Sequence, residues 1–348
     1  MQTSQVCINK AKYVKLQQVL PVKNRDRNFD YLKTFAILGV VYIHSGIPFS
    51  GMFRFCVPVF IGMWAFYMER GLSRRPAESH KAYILDRLKV LIIPYAFWSA
   101  VYISFYPANS WFTTPIHTII GGWMGGYAWG GQYYFIILIQ LTLLFPLVRN
   151  WITQDNFWIL ITIGGIFNVV AEYCFGSNKI IFGINDRLFI YWIPYVVLGL
   201  SLARGYITAK SKLLLPALLC LFLITLESEY LNGWSPYLGV SVTLASLSLL
   251  LGLAPTQNAK DFAPSSTEPS LSNKISDLIG QNTFPIFVSN VLFLKIVEAT
   301  QQSLLIYPTE LMPLLLRHMF VFSFVTIGGL SIGIIFRSLN LGVLVGSK

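Results

Sequence analysis

Apolar residues along this chain gather into long runs separated by short polar stretches. The runs fall at 32–49, 53–69, 88–106, 132–148, 157–175, 188–203, 212–227, 236–254, 283–300 and 313–336. One bilayer crossing takes about 20 apolar residues, so the pattern predicts an all-α fold, a polytopic integral membrane bundle of about ten transmembrane helices. Pro58, Pro94, Pro194 and Pro285 interrupt some runs. Membrane helices tolerate proline where neighbours satisfy the freed backbone groups. Residues 1–28 read as a basic tail, 29–340 as one membrane domain and 341–348 as a second tail. Within the domain, 255–276 (PTQNAKDFAPSSTEPSLSNKIS) is rich in Pro and Ser and reads as a flexible loop.

Composition strengthens this picture. The chain has 348 residues, 55% hydrophobic and only 12% charged, where soluble domains carry about 25% charged residues. That excludes a soluble globular domain, a disordered chain and a disulfide scaffold. The first apolar run starts beyond residue 30, behind a polar and basic segment, which argues against a cleaved leader. The net charge of +11 would suggest nucleic acid in a soluble protein, but no nucleic-acid-binding module is visible. The cations sit in blocks between apolar runs instead. With the N-terminus inside, the outer loops hold only Arg54, Lys179 and Arg187 of the 26 Lys and Arg. By the positive-inside rule both termini are then cytoplasmic.

Nucleotide and metal fingerprints are missing from the sequence. There is no GxGxxG, P-loop, GxSxG or HExxH motif. Cys7, Cys56, Cys174 and Cys220 have no metal-ligand spacing. No metal is therefore expected.

The candidate chemistry lies in ionisable groups within the crossings, where charge is costly. Lys33 and His44 share the first crossing. Eleven residues at 100° each return to nearly the same face, with a rise of about 16 Å. Lys33 then stands at the cytoplasmic mouth and His44 well inside the bilayer. A cation at the mouth suits a phosphate, and a deep imidazole suits proton transfer. A snorkelling lysine and a hydrogen-bonded bundle histidine would give the same pattern. Arg54, in FRFCVPVFIGMW, suits an oxyanion or an anionic group, or anchors a helix end. Arg87, in YILDRLKVLIIPYAFW, adds to a phosphate-binding mouth or is a positive-inside flank. Lys295 and Glu298 stand three residues apart and can neutralise each other. Glu172, Arg317 and His318 are further ionisable groups in apolar runs. The outer stretch GGWMGGYAWGG, with Trp123 and Trp129, and the following Tyr133 offer aromatic faces for a sugar ring, or form an interfacial belt.

At these residues the chain resembles a known family. FDYLKTFAILGVVYIH, RFCVPVFIGMWAFYMERG and YILDRLKVLIIPYAFW resemble the first three crossings of the membrane acyltransferase-3 family. That family places ten residues between a basic residue and a histidine in its first crossing; Lys33 and His44 hold those places. GQYYFIILIQLTLLFPLV resembles its aromatic fourth crossing. GQNTFPIFVSN resembles a late segment that often ends in His, where this chain has Asn290. Trp64 and Ala65 stand where Ser-Gly is common. The resemblance is strongest over 29–150.

The resemblance implies a multi-pass O-acyltransferase of a bacterial inner membrane, in contact with membrane lipids. Acetyl-CoA would be the donor, bound by Lys33 and Arg87, and a cell-surface or lipid-linked glycan the acceptor. His44 would act as general base or transient acyl carrier, and Arg54 would stabilise developing negative charge. Trp123, Trp129 and Tyr133 would meet the acceptor. The alternative is a non-catalytic transporter or flippase for a glycan or small molecule, which intramembrane charges and broken helices also fit.

Overall fold

The computed structural model describes residues 27–105, 129–174, 187–230, 237–254, 270–303 and 314–346. Among them the fold is all-helical, without strands. The helices are α1 (Arg27–His44), α2 (Cys56–Ser73), α3 (His80–Ile103), α4 (Gln132–Trp151), α5 (Phe157–Cys174), α6 (Ile193–Arg204), α7 (Leu214–Tyr230), α8 (Val240–Gly252), α9 (Leu271–Gln281), α10 (Thr283–Ser303) and α11 (Leu314–Ser338). Every expected apolar run overlaps one of these helices. The stretches Ser50–Ser73, Gln132–Trp151, Thr283–Thr300 and Leu316–Ser338 are long and apolar enough to cross a membrane. Shorter apolar helices lie at Phe157–Ala171, Phe189–Arg204 and Val240–Gly252.

Apolar side chains cover the outside as well as the core. Leu215, Leu218, Leu219, Phe222 and Leu226 form an exposed stripe along α7. Ile159, Ile163 and Ile166 do the same on α5. Water would oppose such faces; lipid tails do not.

α2 is buried nearly all round, as a central helix should be. Its closest partner is α6. A Cβ added at Gly199 of α6 would lie 2.0 Å from the carbonyl oxygen of Gly62 and 3.1 Å from Cβ of Ala65. Small residues at this crossing let the two backbones touch. Trp64, beside Ala65, turns instead to α4 and meets Phe145 edge-on at 5.4 Å. The Trp-Ala pair thus serves two neighbours, with the small residue where the backbones approach.

α1 packs against α2, α9, α10 and α11. Its buried side chains Phe29, Leu32, Ala36, Ile37, Val40 and Val41 follow helical spacing. The helix begins before the expected run and stops earlier, on His44. Gly46 has φ 65°, the left-handed conformation that ends helices, and Pro48 follows. His44 is therefore the last residue of the helix rather than one in its middle.

The expected loop at 255–276 is replaced at its end by α9. Ser270 caps this helix by accepting a bond from the Asn273 N–H at 3.4 Å. Leu271, Ile275 and Leu278 then recur at helical spacing. Residues 255–269 lie outside the described residues.

Candidate active site along α1

Lys33 stands two turns into α1. Its Nζ lies 3.3 Å from Oδ1 of the buried Asp30 and donates to the Tyr67 hydroxyl at 3.2 Å. It also sits 4.5 Å above the Tyr67 ring. An ammonium has three N–H donors. Two point at Asp30 and Tyr67, and the side chain remains 23% exposed, so a third can meet a ligand. Nearby, Thr34 donates to the Ser276 carbonyl at 3.0 Å and Tyr31 bonds Asn273. These contacts hold α9 against the Lys33 end of α1. Arg27, Asp30, Tyr31, Asn273, Ser276 and Asp277 line a cleft there.

Arg87 reaches the same end through α2. Its guanidinium lies 4.9 Å from the ring centre of Tyr83, and that of Arg75 lies 4.3 Å from it. Tyr83 rests on Gly71, where an added Cβ would fall 2.1 Å from its hydroxyl. Tyr67 and Gly71 are four residues apart on α2, hence on one face and about 6 Å apart along its axis. Lys33 and Arg87 thus flank neighbouring turns of one helix, each against a tyrosine. Arg70, over the Phe66 ring at 5.1 Å, adds a further cation.

At the other end, the His44 imidazole makes no hydrogen bond to any described residue. Its imidazole meets the backbone of Gly130: a Cβ there would lie 3.5 Å from His44 Cε1 and 3.1 Å from Val291 Cγ2. Three elements converge on this point: α1, the segment leading into α4, and α10. Arg54 is carried by a tight turn at Ser50–Phe55, directly before α2, that packs against α1.

The aromatic residues divide. Trp123 lies outside the described residues. Trp129 is buried: its indole stacks on Tyr102 with ring centres 4.7 Å apart and donates to Ser99 Oγ at 3.2 Å. Tyr133 is half-buried, 5.7 Å from the Tyr237 ring and under the Arg187 guanidinium at 5.6 Å. Gln132, fully buried, donates to Ser99 and Tyr95, both at 3.3 Å. These bonds fix the segment bearing Gly130 against α3.

Tyr102 has a second role. Its hydroxyl donates to the Val288 carbonyl at 2.6 Å and accepts from the Leu292 N–H at 3.0 Å. In a regular helix those two groups would bond each other. The hydroxyl thus ties both ends of the turn that carries Asn290 to α3.

One charged cluster is not readable from the sequence. Glu69 is buried on α2, with Arg149 Nε at 2.7 Å from one carboxylate oxygen and Arg204 Nε at 2.9 Å from the other. Arg204 also donates to the Ile152 and Arg149 carbonyls. This triad joins α2, α4 and α6. Among the other intramembrane charges, Lys295 and Glu298 pair at 2.8 Å on an exposed face of α10. Among the described residues no cluster of three or more His, Cys, Asp and Glu could hold a metal ion.

A family model described as an acyltransferase domain matches residues 26–337. No curated protein and no solved structure matches the chain.

Proposed function

Since this chain belongs to the acyltransferase-3 family of membrane acyltransferases, we propose that it transfers an acyl group, acetyl in the first instance, from cytoplasmic acyl-CoA to a hydroxyl of a cell-surface or lipid-linked glycan. The observation that carries this reading is the division of labour along α1. A cation with a free donor stands at one end, and an imidazole without a hydrogen bond among the described residues stands at the other. The separation of about 16 Å is comparable to the pantetheine arm of CoA.

In this reading the donor phosphates meet Lys33 and Arg87, with Arg70 and Arg75 supplying further positive charge. Asp30 takes up part of the Lys33 charge and orients its ammonium. The thioester lies at His44. The acceptor approaches from the opposite side of the membrane, past Trp123 and Tyr133. Trp129 supports this route from within the fold, since Tyr102 covers one face of its ring and its N–H is committed to Ser99.

Reaction then proceeds by general-base catalysis. His44 removes the proton of the acceptor hydroxyl as its oxygen attacks the thioester carbonyl. The new C–O bond forms, the C–S bond breaks, and the CoA thiolate leaves with the proton returned from the imidazolium. Arg54 stabilises the negative charge on the carbonyl oxygen as the tetrahedral intermediate forms. Alternatively the imidazole carries the acyl group between donor and acceptor. The enzyme would work in a bacterial inner membrane and move acyl groups across it without moving CoA.

The test uses membranes containing the intact protein or His44→Gln, supplied with acetyl-CoA and an envelope glycan fraction. Release of free CoA thiol by the intact protein alone supports acyl transfer. Equal release from both would remove His44 from the reaction. Glycan flux driven by a proton gradient without CoA release would favour the transporter.

A further inference from the structure

The strongest feature outside the chemistry above is the side chain of Asn290. It is 1% exposed, and its Oδ1 has no hydrogen-bond partner among the described residues. Buried polar atoms are nearly always bonded, and an orphaned carboxamide oxygen in a helix bundle calls for a donor from elsewhere.

The neighbours of α10 show where this oxygen points. The Val288 carbonyl and the Leu292 N–H of the backbone meet Tyr102 of α3. Ile286, Ser289 and Phe293 face α11, where they meet Gly328 and Gly329. Phe287 and Val291 face Gly131 and Gly130. At 100° per residue, these assignments leave Asn290 on the side turned to α1, which α10 also packs against. Val291 touches the same point as His44, and consecutive residues differ by only about 1.5 Å in height. Asn290 therefore faces α1 close to the level of His44.

The rest of this wall runs back to Lys33. α9 meets α1 through Tyr31–Asn273 and Thr34–Ser276, and continues into α10 at Asn282. In the acyl-CoA reading above, an arm running along α1 from Lys33 to His44 would pass this wall, with Oδ1 of Asn290 at its far end. Tyr102 ties both ends of that turn to α3.

We propose that Asn290 is a donor-binding residue: its Oδ1 accepts a hydrogen bond from an amide N–H of the pantetheine arm of acyl-CoA and sets the thioester at His44. This rests on the acyl-CoA reading above and adds to it the group that registers the arm. A carboxamide that only packed two helices together would leave ligand affinity unchanged when replaced by an apolar side chain of similar volume.

The experiment uses the full chain in lipid nanodiscs and two probes, a non-hydrolysable thioether analogue of acetyl-CoA and 3′-phospho-ADP, which lacks the arm. Asn290→Leu should weaken the thioether about tenfold, the loss of one hydrogen bond, and leave 3′-phospho-ADP unchanged. Asn290→Asp, which keeps an acceptor oxygen in place, should bind the thioether more tightly than Asn290→Leu does. Equal thioether affinity in intact protein and Asn290→Leu overturns the assignment. So does an equal loss for both probes, which would locate the effect in the fold. If neither probe binds the intact protein, the acyl-CoA reading falls and takes this assignment with it.

Discussion

Gly130 lies against His44: a Cβ added at 130 would meet the imidazole at van der Waals distance, 3.5 Å from Cε1. Val291 closes the same space from α10 at 3.1 Å. Any branched side chain at 130 would occupy the volume in front of the ring. Gly130→Val should lower acyl transfer about 100-fold, the scale of an ångström-level misplacement at a reacting centre, while thermal stability changes little. Gly130→Ala should be far milder. Paired activity and melting measurements check this, and equal activity in all three proteins would remove Gly130 from the site.

The Tyr102 hydroxyl bonds the Val288 carbonyl and the Leu292 N–H of α10. Tyr102→Phe removes a donor and an acceptor at once and should cost about 1–2 kcal/mol. The turn that carries Asn290 then loses its tie to α3, which sets its position against α1. Transfer should fall, with a rise in KM for acyl-CoA. A Tyr102→Phe protein as stable and as active as the intact one would show that this tie serves neither purpose.

The carboxylate of Glu69 serves two guanidiniums. Glu69→Ala should destabilise by about 3–5 kcal/mol, because it leaves buried positive charge uncompensated. Arg149→Ala should cost less, since Arg204 still pairs with the carboxylate. The double variant Glu69→Ala/Arg149→Ala should cost less than the two single losses added together. Denaturation in nanodiscs measures all three.

The two glycines at 165 and 199 make an internal comparison. Gly199→Ala forces a methyl group into the Gly62 carbonyl and should cost about 2 kcal/mol or more. Gly165 has only Thr243 Cγ2 at 4.0 Å from an added Cβ. Gly165→Ala should be neutral or stabilising by about 0.5–1 kcal/mol, the helix preference for Ala over Gly. Melting temperatures moving in opposite directions would confirm that α2 and α6 meet backbone to backbone.

The parts of this fold that were legible in sequence are the local ones. Each apolar run holds a helix because run length and period are properties of neighbouring residues. The start of α9 was hidden by the Pro- and Ser-rich stretch before it, although Leu271, Ile275 and Leu278 carried the helical period. The spacing of Lys33 and His44 is readable because they share one helix. Glu69 pairs with residues 80 and 135 positions away, and no periodicity reports such a distance. Arg149 and Arg204 read as flanking cations for the same reason. Trp129 illustrates a different limit. An aromatic side chain near a membrane boundary suits a belt, a binding platform or a packed interior equally well in sequence, and only the stacked Tyr102 reveals the third. The orphaned oxygen of Asn290 likewise exists only in three dimensions.

The most direct measurement follows radiolabelled acetyl-CoA added to sealed inside-out membrane vesicles, with intact protein, Lys33→Ala or His44→Ala. The account predicts that intact protein deposits label on glycan inside the vesicle while CoA stays outside. Lys33→Ala should need more acetyl-CoA for the same rate, and His44→Ala should transfer none. Label crossing the membrane equally well with His44→Ala would contradict the central claim.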